Sequence, residues 1–208
     1  NRDLGSAVAD LQSTLGSQLH LPSGYSISYG GAYSEQQQSF HELLMILSLA
    51  VLLVFAVLMF LIRAWRISLA ILFISVLGTC GCLLALWLTD IPLNVSSYTG
   101  IIMVVGIIAE NAIFTVWQYK MNRHTGGTVS EAVDYAIALR IRPKLMTAIG
   151  AVLALMPLAL GFGLGAQMQQ PLAVAVIGGF VVGLPLLLLV LPGMMLLIYK
   201  KKEQYADK

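Results

Sequence analysis

Glu110 and Asn111 stand side by side near the middle of an apolar stretch that runs from Tyr98 to Tyr119. A carboxylate at the centre of a membrane helix costs roughly 2.5 to 3.5 kcal/mol on insertion scales, so such a group usually faces a protein interior or a water-filled path. Two interpretations of Glu110 are open. It is a carboxylate that takes up and releases protons, or it is a buried, protonated acid that hydrogen-bonds Asn111, a neighbouring helix or a backbone carbonyl.

On a helix, the side chain of Asn111 points about 100° away from that of Glu110, whereas Gly106 lies one turn earlier on the same face as Glu110. The small Gly106 leaves room there for a partner side chain or a water molecule. Other polar side chains of this stretch that could line a path with Glu110 are Ser97, Asn111 and Thr115. The pattern therefore predicts a polar path inside a group of membrane helices.

Cysteines and methionines are weaker candidates for chemistry. Cys80 and Cys82 lie in one apolar run, where two buried small residues are a simpler interpretation than a metal or redox site. The nine methionines are dispersed, which favours apolar filling over a Cu(I) site. The sequence has no phosphate-binding loop, nucleophile triad or complete metal-ligand set, so we predict neither an enzyme nor a bound cofactor or metal.

Membrane helices are the elements that must position these residues. Of the 208 residues, 58% are hydrophobic and 11% are charged, whereas a soluble domain has about 25% charged residues. A spanning helix needs about 20 mostly apolar residues. We therefore predict an all-α membrane protein with five transmembrane helices, at about 43–62, 67–88, 98–119, 145–164 and 172–199.

The basic residues predict how these helices are oriented. All Lys and Arg residues except Arg2 lie after the first span, between the third and fourth spans, or after the fifth span. Positive charges in loops collect on the cytoplasmic side of a membrane. We therefore expect the N-terminus outside the cytoplasm and the C-terminus inside it. The net charge of +2 reflects this bias and gives no support for nucleic-acid binding.

Residues 1–41 have the character of the end of a domain outside the membrane. Apolar residues recur at helical spacing over residues 4–19, and aromatic and apolar residues alternate with serines over residues 25–29, as in a half-buried strand. A polar helix from Ser34 to Glu42 is expected to run directly into the first span. One helix and one strand do not form a core, so this α/β segment is expected to pair with a sheet from elsewhere.

The segment between the third and fourth spans has its own helical pattern. Its apolar face predicts a short helix at the cytoplasmic interface, at about 128–140. Thr128 and Glu131 have the spacing of a capping box, and Pro143 is expected to stop or kink the chain before the fourth span. Aromatic residues near the predicted span ends fit a belt at the membrane surface; they are Trp65, Trp117, Tyr119 and Tyr199.

Short motifs occur along the chain in the order in which one transporter family has them. They are residues 2–5 (RDLG), 21–25 (LPSGY), 29–31 (YGG), 90–95 (DIPLNV), 106–113 (GIIAENAI), 140–147 (RIRPKLMT) and 165–173 (GAQMQQPLA). This ordered set resembles the C-terminal end of a resistance-nodulation-division (RND) efflux transporter, and most closely the heavy-metal efflux branch. The resemblance covers nearly the whole chain.

The resemblance implies a place for this chain within a larger pump. The five spans correspond to membrane helices 8–12 of twelve, and residues 1–41 correspond to the end of the periplasmic porter domain. The family implies a proton-driven homotrimer in the bacterial inner membrane, with the N-terminus of this chain periplasmic. Its expected partners are membrane lipid, the remainder of the pump, a periplasmic adaptor and an outer-membrane channel. The helix that carries the family's main proton-carrying aspartates is not in this sequence, so we expect a fragment, a truncated product or a piece of a split pump.

The resemblance also adds Thr147, which matches a family position that can hydrogen-bond the proton relay. A membrane threonine that bonds its own helix backbone is the alternative. At the position of Glu110, drug-exporting members typically have a lysine beside the asparagine, and metal exporters often have an apolar residue.

The predicted function is a membrane-domain portion of a proton-driven pump that exports metal cations or other toxic compounds. The candidate proton relay consists of Glu110, Asn111 and Thr147. The alternatives are a portion of a drug- or lipid-exporting pump, and an accessory subunit that docks on a partner pump without transporting.

Overall fold

The computed structural model describes residues 14, 32–124, 126–163 and 165–206. The helices are α1 (Ala32–Ile62), α2 (Trp65–Leu88), α3 (Val95–His124), α4 (Val129–Ala159), α5 (Ala166–Pro185) and α6 (Leu191–Ala206), and a π-helical segment (Leu186–Val190) joins α5 to α6. The chain divides into two compact units, Asn1–Met45 and Ile46–Lys208. All helix packing described below belongs to the second unit.

Five helical segments are long and apolar enough to cross a membrane: His41–Ile62, Trp65–Leu88, Val95–His124, Val129–Ala159 and Ala166–Lys200. The predicted all-α membrane architecture is therefore confirmed. The polar helix expected from Ser34 is present, because α1 begins at Ala32. The predicted helix at 4–19, apart from residue 14, and the predicted strand at 25–29 lie outside the described residues, and the described residues contain no strand.

Helix α5 lies at the centre of the bundle, where it packs against α2, α3 and α4. Glycines permit this close approach. A Cβ added to Gly178 would lie 2.3 Å from the Cβ of Ala85 and 2.5 Å from the carbonyl oxygen of Gly81, and a Cβ added to Gly179 would lie 2.5 Å from a methyl group of Val104. These distances are far inside the optimal separation of about 3.5–4.0 Å for carbon atoms. The contacts of α5 with α2 and α3 therefore require glycine.

Two other glycines have no such packing role among the described residues. A Cβ added to Gly106 or Gly150 would meet no atom within 4 Å. The space that the sequence predicted beside Gly106 is therefore present, on the face of α3 that also carries Glu110.

Helix α4 differs from the prediction because it runs without interruption from Val129 to Ala159, through Pro143. The sequence pattern had predicted an interfacial helix ending near residue 140 and a separate span from residue 145. Proline removes one backbone donor and disfavours the α conformation in the residue before it. Membrane helices nevertheless continue through proline where neighbouring groups satisfy the freed carbonyl.

The first turns of α4 are fixed by a cap and by burial. The predicted capping box is present: the Glu131 amide donates to Thr128 Oγ1 at 3.3 Å, and the Thr128 amide donates to Glu131 Oε2 at 2.9 Å. The apolar face of these turns joins the protein core, with four residues at most 3% exposed: Val129, Ala132, Val133 and Ala136. This face packs on protein, and the position of these turns at the cytoplasmic interface stays a prediction.

The aromatic residues do not form one belt. Trp65 and Trp117 are more than half exposed, as a belt requires, but Tyr119 is buried. Its ring stacks on that of Tyr199 with centroids 4.4 Å apart, which joins α3 to α6. Beside this stack, Arg123 of α3 forms an ion pair with Glu203 of α6.

Candidate functional site

A cleft of about 340 Å³ lies between α3 and α4, with Phe180 of α5 at one wall. It contains the residues that the sequence singled out, together with two basic residues that it did not. Its polar and charged lining consists of Glu110, Asn111, Arg140, Lys144 and Thr147. The structure therefore brings all three candidate relay residues to one place.

Glu110 is exposed within this chain and lines the cleft. Asn111 donates from Nδ2 to the carbonyl of Ile107 at 2.9 Å, so its amide nitrogen is engaged within α3. Both interpretations of Glu110, as a proton carrier and as a protonated structural acid, stay predictions. The neighbouring Gly106 leaves the face of α3 above Glu110 open. The carboxylate is thus accessible to water or to groups that enter the cleft.

Thr147 lies on α4 and uses its hydroxyl within its own helix. Its Oγ1 donates to the carbonyls of Pro143 and Lys144, each at 3.0 Å. This is the backbone-bonding alternative that the sequence left open. Within the described residues Thr147 contributes to the cleft wall, while its hydroxyl is engaged with carbonyls of α4.

Lys144 is the residue that the sequence interpretation misplaced. It was counted among the basic loop residues, but its side chain is 4% exposed. Its Nζ donates to Thr115 Oγ1 of α3 at 2.7 Å, and that hydroxyl donates in turn to the carbonyl of Asn111 at 2.9 Å. A chain of hydrogen bonds therefore runs from an ammonium on α4 to the backbone of α3 beside Glu110.

A signal for this burial was present in the sequence. Val133, Ile137, Arg140, Lys144 and Ala148 follow one another at intervals of three or four residues, the spacing of one helix face. Continuing the apolar stripe of the first turns through Pro143 places Lys144 among buried positions. Because Pro143 was expected to stop or kink the chain, the stripe was not continued to Lys144, and its burial was not predicted.

Arg140 lies one turn before Lys144 and faces an aromatic ring. Its guanidinium carbon is 4.8 Å from the centroid of the Phe114 ring, within the range of a cation–π contact. Its Nε is buried and has no hydrogen-bond partner among the described residues. Because Arg140 and Glu110 line the same cleft, this contact holds a second positive charge on the cleft wall.

The cleft thus carries an excess of positive charge. The described residues that line it contribute two cations, Arg140 and Lys144, and one carboxylate, Glu110. A second, narrow cavity of about 10 Å³ adjoins it, and its polar lining is Asn111, Lys144 and Thr147. That volume is near the lower limit for one water molecule. The arrangement therefore places one carboxylate in a cleft that two basic side chains also line.

The cysteines do not form part of this site. Cys80 is exposed and Cys82 is buried on α2. Both thiols point toward carbonyls of their own helix, those of Val76 and Gly78, at 3.9 and 3.8 Å. Within the described part of the chain, no group of three or more His, Cys, Asp or Glu residues is placed to hold a metal ion.

Comparison with known proteins connects this geometry to a family. A family model described as the AcrB/AcrD/AcrF family matches residues 1–199. The chain belongs to this family. The RND resemblance inferred from the motifs is therefore confirmed.

Two relatives show the range of this similarity. The cobalt-zinc-cadmium resistance protein CzcA of Cupriavidus metallidurans is 33% identical over 206 residues, which are 99% of this chain and 19% of CzcA. The multidrug resistance protein MdtC of Erwinia tasmaniensis is 33% identical over 187 residues, which are 89% of this chain and 18% of MdtC. The chain spans about a fifth of the length of the curated relatives that it matches.

A solved structure shows that the similarity extends to the fold. The crystal structure of a heavy metal efflux pump superposes with a TM-score of 0.82 at 34% sequence identity. The match covers 96% of this chain and 20% of that chain. The recognition of the heavy-metal branch of RND efflux transporters is thereby confirmed, and this chain corresponds to one part of such a pump.

Proposed function

We propose that this chain is the C-terminal membrane portion of a proton-driven pump that exports metal cations. Membership of an efflux family and similarity to CzcA over 99% of the chain support the class of transport. Because CzcA is a cobalt-zinc-cadmium resistance protein, ions of these three metals are the proposed test substrates. The proposed activity moves ions and makes or breaks no covalent bond in them.

The observation that carries the proposal is the α3–α4 cleft. It places the Glu110 carboxylate between helices that are long and apolar enough to cross a membrane, beside Arg140 and Lys144. A carboxylate in such surroundings can bind a proton from one side of the membrane and release it to the other when the helices rearrange. Asn111 and Thr147 form the adjoining polar wall.

The parts of the pump that correspond to the remaining four-fifths of the relatives' length complete the proposed transporter. We propose that the complete pump sits in the bacterial inner membrane with residues 1–41 in the periplasm and the C-terminus in the cytoplasm. It is proposed to work as a homotrimer with a periplasmic adaptor and an outer-membrane channel. Substrate choice then depends mainly on parts of the pump outside this chain.

The test is transport by the full-length pump in liposomes, with Zn²⁺, Co²⁺ or Cd²⁺ followed by a fluorescent indicator. The proposal predicts cation movement that requires an imposed pH gradient and stops when a protonophore collapses it. Cation movement that is indifferent to the gradient would contradict it. A drug transported in place of these cations would favour the drug-exporting alternative, and absence of transport together with co-purification of a complete partner pump would favour the accessory subunit.

A further inference from the structure

Lys144 is a buried cation for which the described residues provide no buried counter-charge. It lies at the middle of α4, and Glu110 lies at the middle of the adjacent α3. A charged amine is rarely buried in a protein unless a carboxylate or several hydrogen-bond acceptors compensate for lost water. Lys144 has one acceptor, the hydroxyl of Thr115.

A threonine hydroxyl satisfies one of the three ammonium donors but neutralises no charge. The ion pair found among the described side chains joins Arg123 to Glu203 at the end of α3, and none involves Lys144. In its observed position, the ammonium is therefore not paired with any carboxylate of the described residues. A more favourable position exists if a carboxylate lies within reach of the flexible lysine side chain.

Glu110 is that carboxylate. It lines the same cleft as Lys144, and it is the one acidic residue among the described residues that line it. The other charged group there, Arg140, is held over the Phe114 ring, and α5 contributes the apolar Phe180. Lysine has a four-carbon stem with several rotatable bonds, so its ammonium can move across a cleft without a change in the backbone.

We propose that Lys144 is a mobile counter-ion of Glu110, whose ammonium pairs with the ionised carboxylate and returns to Thr115 when the carboxylate is protonated. In this step one proton adds to a Glu110 oxygen, and Lys144 keeps its own protons throughout. The inference rests on the proposed function, because it assigns Lys144 a positioning role through Glu110. It makes the contact between α3 and α4 depend on the protonation state of one residue.

The experiment compares Lys144→Met and Lys144→Arg in the full-length pump, with transport measured against pH on the side that receives the proton. Loss of the cation makes the ionised carboxylate less favourable, so Lys144→Met is expected to move the half-maximal point to higher pH by about 1 unit or more. Lys144→Arg retains the charge and is expected to show less than half of that shift. Lys120→Met is the matched control, because this lysine lies outside the cleft and donates to the carbonyl of Ile62.

Two results would overturn the inference. One, where Glu110→Gln itself impairs proton-coupled transport, is a folded Lys144→Met pump with the parental pH profile. The other is a Lys144→Met shift that persists unchanged when Glu110→Gln is also present, because the lysine would then act on a different group.

A second measurement separates this inference from the proposed function. Infrared difference spectroscopy of the full-length pump follows the carboxyl band that disappears in Glu110→Gln, and it requires no transport. If Glu110→Gln transports normally, the proposed proton relay fails. The pairing is still upheld if Lys144→Met moves the titration of this band to higher pH by about 1 unit or more, and refuted if the band is unmoved.

Lys144→Met can also fail to fold, so a charge exchange provides a further test. The variant with both Glu110→Lys and Lys144→Glu restores opposite charges across the cleft. Pairing predicts that its melting temperature exceeds the value expected from adding the two single changes. An exchange variant that is no more stable than this sum would contradict pairing.

Discussion

At the scale of single residues, the contact between Lys144 and Thr115 is the most sensitive point of the site. Lys144 is 4% exposed and Thr115 is 1% exposed. A buried donor that loses its acceptor costs more than the bond itself contributes, because the group keeps its desolvation penalty. The stability of the bundle therefore depends on a hydroxyl at position 115.

Thr115→Val preserves the shape of this side chain and removes its hydroxyl. We expect the variant to lower the free energy of unfolding of the full-length pump by about 1–3 kcal/mol, since the lysine is left with an unsatisfied ammonium. Thr99→Val is the matched control, because the Thr99 hydroxyl is exposed and bonds the carbonyl of Val95 in its own helix. Equal melting temperatures for the two variants would show that the buried contact contributes nothing.

Of the two charged residues Glu110 and Lys144, the sequence singled out the first and missed the second for a physical reason. Glu110 interrupts an apolar run, so hydropathy alone draws attention to it. Lys144 stands next to Pro143 at the start of an apolar run, where a lysine whose ammonium reaches the membrane surface is also a normal occurrence. Its depth depends on the phase of a helix that passes through proline, and on the Thr115 hydroxyl of another helix.

At the scale of elements, the two ends of α4 have different surroundings. The helix has 31 residues, and at 1.5 Å per residue it is about 46 Å long, whereas the hydrocarbon core of a bilayer is about 30 Å thick. Part of α4 therefore extends beyond the membrane. The first turns of α4, which are capped and buried, are suited to lie outside the membrane, because α4 packs on α3 and α6 and the apolar face of these turns needs no lipid.

The position at which a helix is interrupted is harder to predict from sequence than the helix itself. The sequence predicted all five apolar helices because run length and composition suffice for them. It predicted that Pro143 stops or kinks the chain, and the structure has no stop there. It also gave no sign of the π-helical segment directly after Pro185. In both places the outcome depends on which neighbouring groups satisfy the carbonyl that proline leaves unpaired, which local sequence does not contain.

The packing of α5 on α2 provides a prediction at this scale. Gly178→Ala would place a methyl group 2.3 Å from Ala85 and against the backbone of Gly81. Because backbone atoms cannot rotate away, we expect the helices to separate and the free energy of unfolding to fall by about 1–3 kcal/mol. Gly193→Ala is the control, since its added Cβ meets no atom within 4 Å. The measurement is thermal unfolding of both variants. An unchanged melting temperature for Gly178→Ala would show that α2 and α5 are further apart in the protein than in the structure described here.

At the scale of the whole molecule, the orientation of the helices remains a prediction from charge. Cysteine labelling tests it in a full-length pump from which Cys80 and Cys82 have been removed. We expect Arg142→Cys and Lys200→Cys to react with a membrane-impermeant reagent from the cytoplasmic side, and Asp90→Cys from the opposite side. Labelling of positions 142 and 200 from opposite sides would exclude the five-span topology.

The length of the relatives limits what this chain does by itself. The site described here has an open face at Gly106 and Glu110 and an excess of positive charge. Both features fit a cleft that adjoins further parts of a pump about five times as long. The proposed transport therefore belongs to the complete protein, to which this chain contributes the α3–α4 cleft.

The most direct measurement counts protons and metal ions together in liposomes that contain the full-length pump with Glu110→Gln. If Glu110 carries the proton, this variant loses proton-coupled cation export, whereas Asp134→Asn, which removes an exposed carboxylate of α4 outside the cleft, retains the parental rate and proton count. Undiminished proton-coupled export by a folded Glu110→Gln pump would contradict the account.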